Sequence, residues 1–181
     1  LLCHGTVTFS DETARGARDP TIDAIGLDGV GHAVGFDEFT FIDARPGTQY
    51  SGDAGPWVRN GHIPGAHSLD WKTITDPDNH HRLLPAETIK DTLKELGVSP
   101  WDDIVVYCGT GREATLLTVA LTCHLGWSGV KLYEGSWTEY TTDPEAAVEV
   151  GARVEPKTTV HTDGRFHISG QPSKDDLRDL A

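Results

Sequence analysis

The sequence is poor in cysteine and has no methionine. Its 181 residues contain three cysteines, Cys3, Cys108 and Cys123. Three unevenly spaced cysteines are too few for a disulfide framework or a CxxC zinc site, and they favour a reducing compartment, the cytoplasm or an organelle matrix. Because the chain begins at Leu1 and lacks methionine, we expect a processed product, a fragment or one part of a longer polypeptide.

Basic residues and long apolar runs are also scarce. Fifteen Lys and Arg face 28 Asp and Glu, which leaves a formal net charge of −13. Such a charge repels phosphate backbones and anionic lipids, so we expect no nucleic-acid and no membrane partner. No apolar run approaches the roughly 18 residues of a membrane span. An anionic substrate would need local positive potential from an arginine, backbone amides or a helix N-terminus.

Short apolar runs and helical spacing alternate through the middle of the chain. The pattern predicts buried strands at Phe39–Asp43, Ile104–Tyr107 and Val130–Tyr133, and helices at Pro85–Leu96 and Ala114–Leu125. Strands separated by helices form βαβ units. The sequence therefore predicts an α/β fold with a central parallel sheet flanked by helices on both faces.

The same pattern sets the expected organisation of the chain. Residues 36–142 form the predicted domain. Residues 1–35 are expected to be a lead-in or interdomain linker, and residues 143–181 a polar C-terminal extension.

The strongest chemical signal is Cys108, directly after the strand Ile104–Tyr107. Open α/β sheets place ligand crevices at such strand ends. The turn Gly109-Thr110-Gly111 can point its N–H groups inward, and the next helix adds the positive end of its dipole. Both effects predict a lowered thiol pKa. Such a thiolate can attack a sulfane sulfur and pass it on as a persulfide. The alternative is a buried packing cysteine, which would not need the two glycines.

Four elements in order resemble the rhodanese superfamily. They are Asp43-Ala-Arg45, Gly61-His-Ile-Pro-Gly-Ala66, the Cys108 loop, and the stretch Val130–Tyr140. The resemblance is greatest to the C-terminal catalytic domain of tandem-domain thiosulfate/3-mercaptopyruvate sulfurtransferases. It implies a Cys108 persulfide, a small sulfur donor, a thiol or cyanide acceptor, and no metal or organic cofactor. It also implies an N-terminal rhodanese-like domain or chain as a partner.

The donor stays open between two compounds. The loop Cys-Gly-Thr-Gly resembles the Cys-Gly-Ser-Gly of mercaptopyruvate enzymes, and the neutral Gly109 and Thr110 favour that donor because dianionic thiosulfate benefits from cations there. Arg112 could supply positive charge for thiosulfate. Glu113 could cap backbone donors or neutralise Arg112. Thr110 could donate its hydroxyl to the leaving group or bond its own backbone.

Other residues are assigned by the resemblance or by their position. Arg59 resembles the arginine that grips the substrate carboxylate in mercaptopyruvate enzymes, whereas the second such arginine would fall near the uncharged Gln49. We expect His62 to fix the following loop through a backbone hydrogen bond. Asp43 and Arg45 are expected to hold the strand end near the site. The nine histidines lack cysteine or carboxylate partners at recognised spacings, so no metal site is predicted.

Two other functions are known for cysteine-containing loops or for folds of this kind. A cysteine phosphatase or arsenate reductase needs a phosphate-binding arginine after five intervening residues, but position 114 is alanine and the nearby arginine is Arg112. That class is therefore disfavoured. A non-catalytic rhodanese-fold binding or regulatory module remains the alternative to a sulfurtransferase.

Overall fold

The computed structural model describes residues 22–34 and 39–153, together with the backbone of 157–160 and 166–169. Five strands form one sheet: β1 (Asp23–Ala24), β2 (Phe39–Asp43), β3 (His67–Ser68), β6 (Asp103–Tyr107) and β7 (Val130–Leu132). Their order across the sheet is β1-β7-β6-β2-β3, and every neighbouring pair is parallel. Two hairpins lie outside it: β4 (Thr75–Asp76) with β5 (Asn79–Leu83), and β8 (Lys157–Val160) with β9 (Phe166–Ser169).

Helices connect these strands. They are α1 (Leu27–Ala33), α2 (Gly47–Tyr50), α3 (Ala86–Glu95), α4 (Arg112–Val119) and α5 (Ser136–Tyr140), with a 3₁₀ turn at Trp71–Ile74. Helix α4 continues as a π-helical turn, Ala120–His124, in which the Leu125 N–H donates to the Ala120 carbonyl at 3.0 Å. None of the helices in the described part of the chain is long and apolar enough to cross a membrane.

Successive side chains of β6 belong alternately to two hydrophobic clusters of the core, one on each face of the sheet. Ile104, Val106 and Cys108 pack in the cluster with α3 and α4, whereas Val105 and Tyr107 pack in the cluster with α1 and α5. Successive side chains of a strand point to opposite faces, so a strand covered on both faces is apolar throughout. The predicted α/β architecture, with helices on both faces of a parallel sheet, is confirmed.

The boundaries of the elements agree with prediction in four cases and differ in one. Strands β2, β6 and β7 and helix α3 lie within one residue of the predicted bounds. The helix expected from Ala114 begins at Arg112, because Gly111 takes a left-handed conformation, with φ of +88°, and ends the preceding turn there.

Two segments that were predicted to lie outside the domain, 1–35 and 143–181, each have described residues that contact it. Within the segment 1–35, β1 pairs with β7 at the sheet edge, and α1 buries Val30 and Ala33. A two-residue strand offers no alternation that a sequence pattern could show. Residues 1–21 and Cys3 lie outside the described residues.

The start of the C-terminal extension also folds back. The N–H of His62 donates to the Glu149 carbonyl at 2.8 Å, and the Glu149 N–H donates to the His62 carbonyl at 2.9 Å. A Cβ at Gly61, where φ is +119°, would collide with the Glu149 carbonyl. The first residues of the extension therefore cover the loop that precedes β3.

Candidate active site

Cys108 follows β6, the middle strand of the sheet, and three hydrogen bonds fix it. Its Sγ accepts the Gly111 N–H at 3.1 Å, and its own N–H donates to the Ser136 Oγ at 3.1 Å. Its carbonyl accepts the Trp137 N–H at 3.0 Å. The side chain has no exposed surface. The loop therefore holds a buried thiol in one position at the carboxyl edge of the sheet.

The two glycines of the loop permit close contacts, and the backbone requires glycine at Gly111. A Cβ at Gly111 would lie 2.7 Å from the Glu134 carbonyl oxygen, and its left-handed φ disfavours any L side chain. A Cβ at Gly109 would lie 2.5 Å from Cη2 of Trp57. The Trp57 indole thus packs against Gly109. Its Nε1 donates to the Gln49 Oε1 at 3.2 Å.

The electrostatic surroundings of Cys108 differ from the expectation. Burial is the largest effect and raises the pKa of the thiol, and the Glu113 carboxylate raises it further. The N–H groups of Ala114 and Thr110 act in the opposite direction. The prediction that this loop lowers the thiol pKa is wrong for the structure as it stands, because desolvation and one carboxylate outweigh the amides.

Arg112 and Glu113 pair with each other. The Arg112 Nη2 donates to the Glu113 Oε1 at 2.9 Å, while the Arg112 side chain is 86% exposed. Burial opposes the charged form of Glu113, but hydrogen bonds from Cys108 and Arg112 lower its pKa overall. Of the two roles considered for Glu113, the structure shows the neutralisation of Arg112. Thr110 is exposed at the surface of the loop.

The structure holds Arg59 against the end of α5. Its Nη1 donates to the Asp143 carbonyl at 3.0 Å, and its own carbonyl accepts the Trp137 Nε1 at 2.9 Å. Trp137 in turn stacks on Tyr140, with ring centroids 5.6 Å apart. In this conformation the Arg59 guanidinium is engaged by backbone rather than by the cysteine loop.

Asp43 and Arg45 form a buried ion pair behind the loop. The Arg45 Nη2 lies 2.5 Å from the Asp43 Oδ2 and donates to the Gly61 carbonyl at 2.7 Å. The guanidinium carbon also lies 4.5 Å above the Trp137 ring. Desolvation opposes the charge, but Asp43 raises the pKa of Arg45 overall. The pair thus ties the end of β2 to two neighbouring segments.

His62 supports the same region. Its Nδ1 lies 2.8 Å from the Tyr50 carbonyl, and its ring stacks on Tyr50 with centroids 3.7 Å apart. The buried His62 Nε2 lies 3.5 Å from the Glu149 Oε2. His62 thus makes a backbone hydrogen bond, but to Tyr50 of the preceding helix α2 rather than to the loop that follows it.

Sequence reasoning missed two residues that touch the loop. Ser136 is buried, has a positive φ of 51°, and places its Oγ 4.0 Å from the Cys108 Sγ. Trp57 lies in a glycine-rich loop whose sequence shows no periodicity that would place it against Gly109. Ser136 lies in the stretch Val130–Tyr140, where its positive φ could not be foreseen. Within residues 22–34 and 39–153, no three His, Cys, Asp or Glu side chains form a potential metal site.

Comparisons with known proteins agree with this arrangement. The rhodanese-like domain family matches residues 31–143. A putative thiosulfate sulfurtransferase of Synechococcus elongatus is 43% identical over 109 residues, which cover 56% of this chain and 34% of that protein. The mitochondrial thiosulfate/3-mercaptopyruvate sulfurtransferase 1 of Arabidopsis thaliana is 36% identical over 61% of this chain and 29% of its own length.

A third relative and a solved structure extend the comparison. The thiosulfate sulfurtransferase of Azotobacter vinelandii is 34% identical over 65% of this chain and 42% of its own length. The anaerobic ergothioneine biosynthesis enzyme of Chlorobium limicola superposes with a TM-score of 0.62 at 24% identity, over 71% of this chain and 32% of that one. The latter likeness shows the fold. The chain spans 29–42% of the length of these three curated relatives. The family match covers every strand of the five-stranded sheet except β1, and the chain belongs to the rhodanese-like domain family.

Proposed function

We propose that this domain is a sulfurtransferase that moves a sulfane sulfur through a persulfide on Cys108. The donor is 3-mercaptopyruvate or thiosulfate, and the acceptor is a thiol or cyanide. The observation that carries the proposal is the Gly111 N–H directed at the Cys108 Sγ, at 3.1 Å, at the end of the central strand. Backbone amides placed in this way stabilise negative charge on sulfur. The names of the relatives support the same activity.

Sulfur transfer from either donor requires the thiolate. With thiosulfate, the Cys108 thiolate attacks the outer sulfur, the sulfur–sulfur bond of the donor breaks, and sulfite leaves with the electron pair. With 3-mercaptopyruvate, the carbon–sulfur bond breaks, and the thiol proton passes to the carbon of the departing pyruvate. Both reactions leave the persulfide anion on Cys108. The amides of Thr110, Gly111 and Ala114 face the sulfur and can stabilise that anion.

Charge around the loop distinguishes the two donors. Gly109 and Thr110 are neutral, and Glu113 places a carboxylate beside the thiol. Dianionic thiosulfate benefits from cations at the two positions after the cysteine, and both are neutral here, so the loop favours 3-mercaptopyruvate. The relatives named for thiosulfate favour the other donor. Use of thiosulfate would require Arg112 to leave Glu113 and contact the donor.

Two further residues have proposed roles in binding the donor. Thr110 is exposed on the loop and can donate its hydroxyl to the leaving group. Arg59 would grip a carboxylate after exchanging its bond to the Asp143 carbonyl for one to the substrate.

A partner domain is proposed for the same face. Val58 follows Trp57, which packs against the loop, and its side chain is 95% exposed, so an apolar group is available there to a partner surface. The relatives are longer than this chain. We propose that an N-terminal rhodanese-like domain or chain covers the face around Val58, Thr110 and Arg59.

One observation favours the alternative function, a rhodanese-fold binding module without activity. Cys108 is fully buried, and its pKa is raised rather than lowered. A catalytic role requires the loop to open for the donor, whereas a binding module does not.

Turnover assays separate the two functions. We expect sulfite release from thiosulfate, or pyruvate release from 3-mercaptopyruvate, with cyanide as acceptor, and complete loss of either in Cys108→Ser. Cys123→Ser is the matched control, because Cys123 is partly exposed in the π-helical turn and should leave the rate unchanged. Wild-type protein that is inactive with both donors would support the binding module.

A further inference from the structure

An irregular loop between α2 and β3 lies against the cysteine loop. Residues 51–61 contain no helix or strand, and none of residues 51–60 is buried. A Cβ at Gly52 would lie 3.2 Å from the Gly61 N, so the two ends of this stretch almost touch. A compact surface loop whose ends meet in this way is an Ω-loop. Residues 52–61 are called the Ω-loop below.

Trp57 joins the Ω-loop to the cysteine loop. Its indole packs against Gly109, the residue after Cys108, so closely that a Cβ there would lie 2.5 Å from the Trp57 Cη2. The Cys108 side chain has no exposed surface, so a reagent reaches the sulfur only when a neighbouring segment moves. Segments with few buried groups open at the lowest free-energy cost. The Ω-loop is therefore the neighbour that we expect to move.

A short stretch of the C-terminal extension, residues 148–151, crosses the base of the Ω-loop and is called the strap. At the first end of the loop, Val150 packs on Gly52, where a Cβ would lie 3.1 Å from the Val150 Cγ1. The Gly151 N–H donates to the Ser51 carbonyl at 2.8 Å. These two contacts fix the point at which the chain enters the loop.

The strap also holds the second end of the Ω-loop. His62 and Glu149 exchange two backbone hydrogen bonds, and a Cβ at Gly61 would lie 2.7 Å from the Val148 Cγ1. The Glu149 carboxylate accepts the Gly65 N–H at 2.9 Å, and its Oε2 lies 3.5 Å from the His62 Nε2. Glu149 therefore anchors the strap through its backbone and through its side chain.

We propose that the Ω-loop is a lid over Cys108, and that Glu149 is the positioning residue that keeps the strap across the base of this lid. When the strap loosens, the base of the loop loses its contacts and Trp57 leaves the cysteine loop. The Glu149 carboxylate bonds Gly65 rather than the cysteine. Its replacement therefore changes how often the sulfur is accessible, and not the pKa of the thiol.

Alkylation of Cys108 by iodoacetamide, measured on the peptide that contains it, tests the proposal. We expect Glu149→Ala to raise the rate about tenfold, the smallest factor that a hydrogen bond to a charged group is typically worth. The pH of half-maximal rate should stay at its wild-type value. Glu149→Gln keeps an acceptor for the Gly65 N–H and should lie closer to wild type. Glu145→Ala, which removes an exposed carboxylate of the same extension, is the matched control and should react at the wild-type rate.

A double variant shows whether Glu149 acts through the lid. Trp57→Ala removes the side chain by which the lid contacts the cysteine loop, so Glu149→Ala should add little in that background. Equal fold-increases from Glu149→Ala in the wild-type and Trp57→Ala backgrounds would overturn the inference, because the strap would then act by another route. A wild-type rate in Glu149→Ala would overturn it as well.

Urea separates opening of the lid from unfolding of the domain. The urea dependence of an opening reaction scales with the surface that it exposes, and a lid exposes far less than a whole domain. Alkylation of Cys108 in Glu149→Ala should therefore depend only weakly on low concentrations of urea. A slope equal to that of global unfolding, followed by circular dichroism, would contradict the lid. These experiments use no sulfur donor, so their failure leaves the sulfurtransferase proposal standing.

Discussion

Replacing Gly111 with alanine perturbs the backbone that directs an N–H at the Cys108 sulfur. Gly111 has φ of +88°, and a Cβ there would lie 2.7 Å from the Glu134 carbonyl oxygen. The left-handed conformation costs an L residue about 1–2 kcal/mol. Relief of the collision requires a backbone shift, which typically costs about 1–3 kcal/mol more. We expect Gly111→Ala to lower the free energy of unfolding by about 2–5 kcal/mol.

Gly97→Ala provides a matched control. Gly97 has a similar φ of +77°, but a Cβ there meets no atom within 4 Å. This variant should therefore lose only the conformational cost of about 1–2 kcal/mol. Urea unfolding monitored by circular dichroism measures both free energies, and the difference between the variants isolates the contact with Glu134.

The same pair of variants tests the proposed chemistry. A displaced Gly111 no longer holds its N–H on the Cys108 Sγ, and loss of one oriented donor of this kind typically lowers a rate about 100-fold or more. Persulfide formation should fall accordingly in Gly111→Ala and stay near wild type in Gly97→Ala, measured below the unfolding transition. A folded Gly111→Ala protein with the wild-type rate would refute the reasoning that this amide stabilises the sulfur anion.

Three further predictions concern the surroundings of the thiol. Glu113→Gln removes a carboxylate that helps to raise the pKa of Cys108, so its alkylation by iodoacetamide should reach half-maximal rate at a lower pH than in wild type. Asp43→Asn leaves Arg45 as a buried charge without its carboxylate partner, and it should lower the free energy of unfolding in urea by about 3–5 kcal/mol. Trp57→Ala uncovers the loop, so alkylation of Cys108 at fixed pH should become faster.

Each of these predictions has a contradicting result. An unchanged or higher pH midpoint in Glu113→Gln would show that this carboxylate does not oppose the thiolate. A loss below about 1 kcal/mol in Asp43→Asn would place the pair in the range of exposed ion pairs. An unchanged alkylation rate in Trp57→Ala would show that some other group limits access to the sulfur.

The central strand and its cysteine were predictable because local pattern determines them. The apolar run Ile104–Tyr107 belongs to a strand buried on both faces, and the two glycines after Cys108 mark a turn with unusual backbone requirements. A strand in the middle of a parallel sheet is covered by helices on both faces, so its sequence is a continuous apolar run. The architecture therefore followed from the order of strands and helices.

Contacts between distant segments were not predictable in the same way. Two such contacts are that of Trp57 with Gly109 and that of Ser136 with Cys108. Each depends on how separate loops meet, and no sequence periodicity encodes that. The pKa of the thiol was predicted in the wrong direction because the glycine turn is visible in the sequence, whereas burial and the orientation of Glu113 are not. Strand β1 escaped prediction because two residues carry no pattern.

The most direct test of the central claim is the mass of the protein after reaction with a donor and before any acceptor is added. The account predicts a gain of about 32 Da, one sulfur atom, that maps to the peptide containing Cys108 and disappears on addition of cyanide. Sulfite or pyruvate should be released in equal amount. Donor consumption without added mass on Cys108, or with the sulfur on Cys123 instead, would contradict the account.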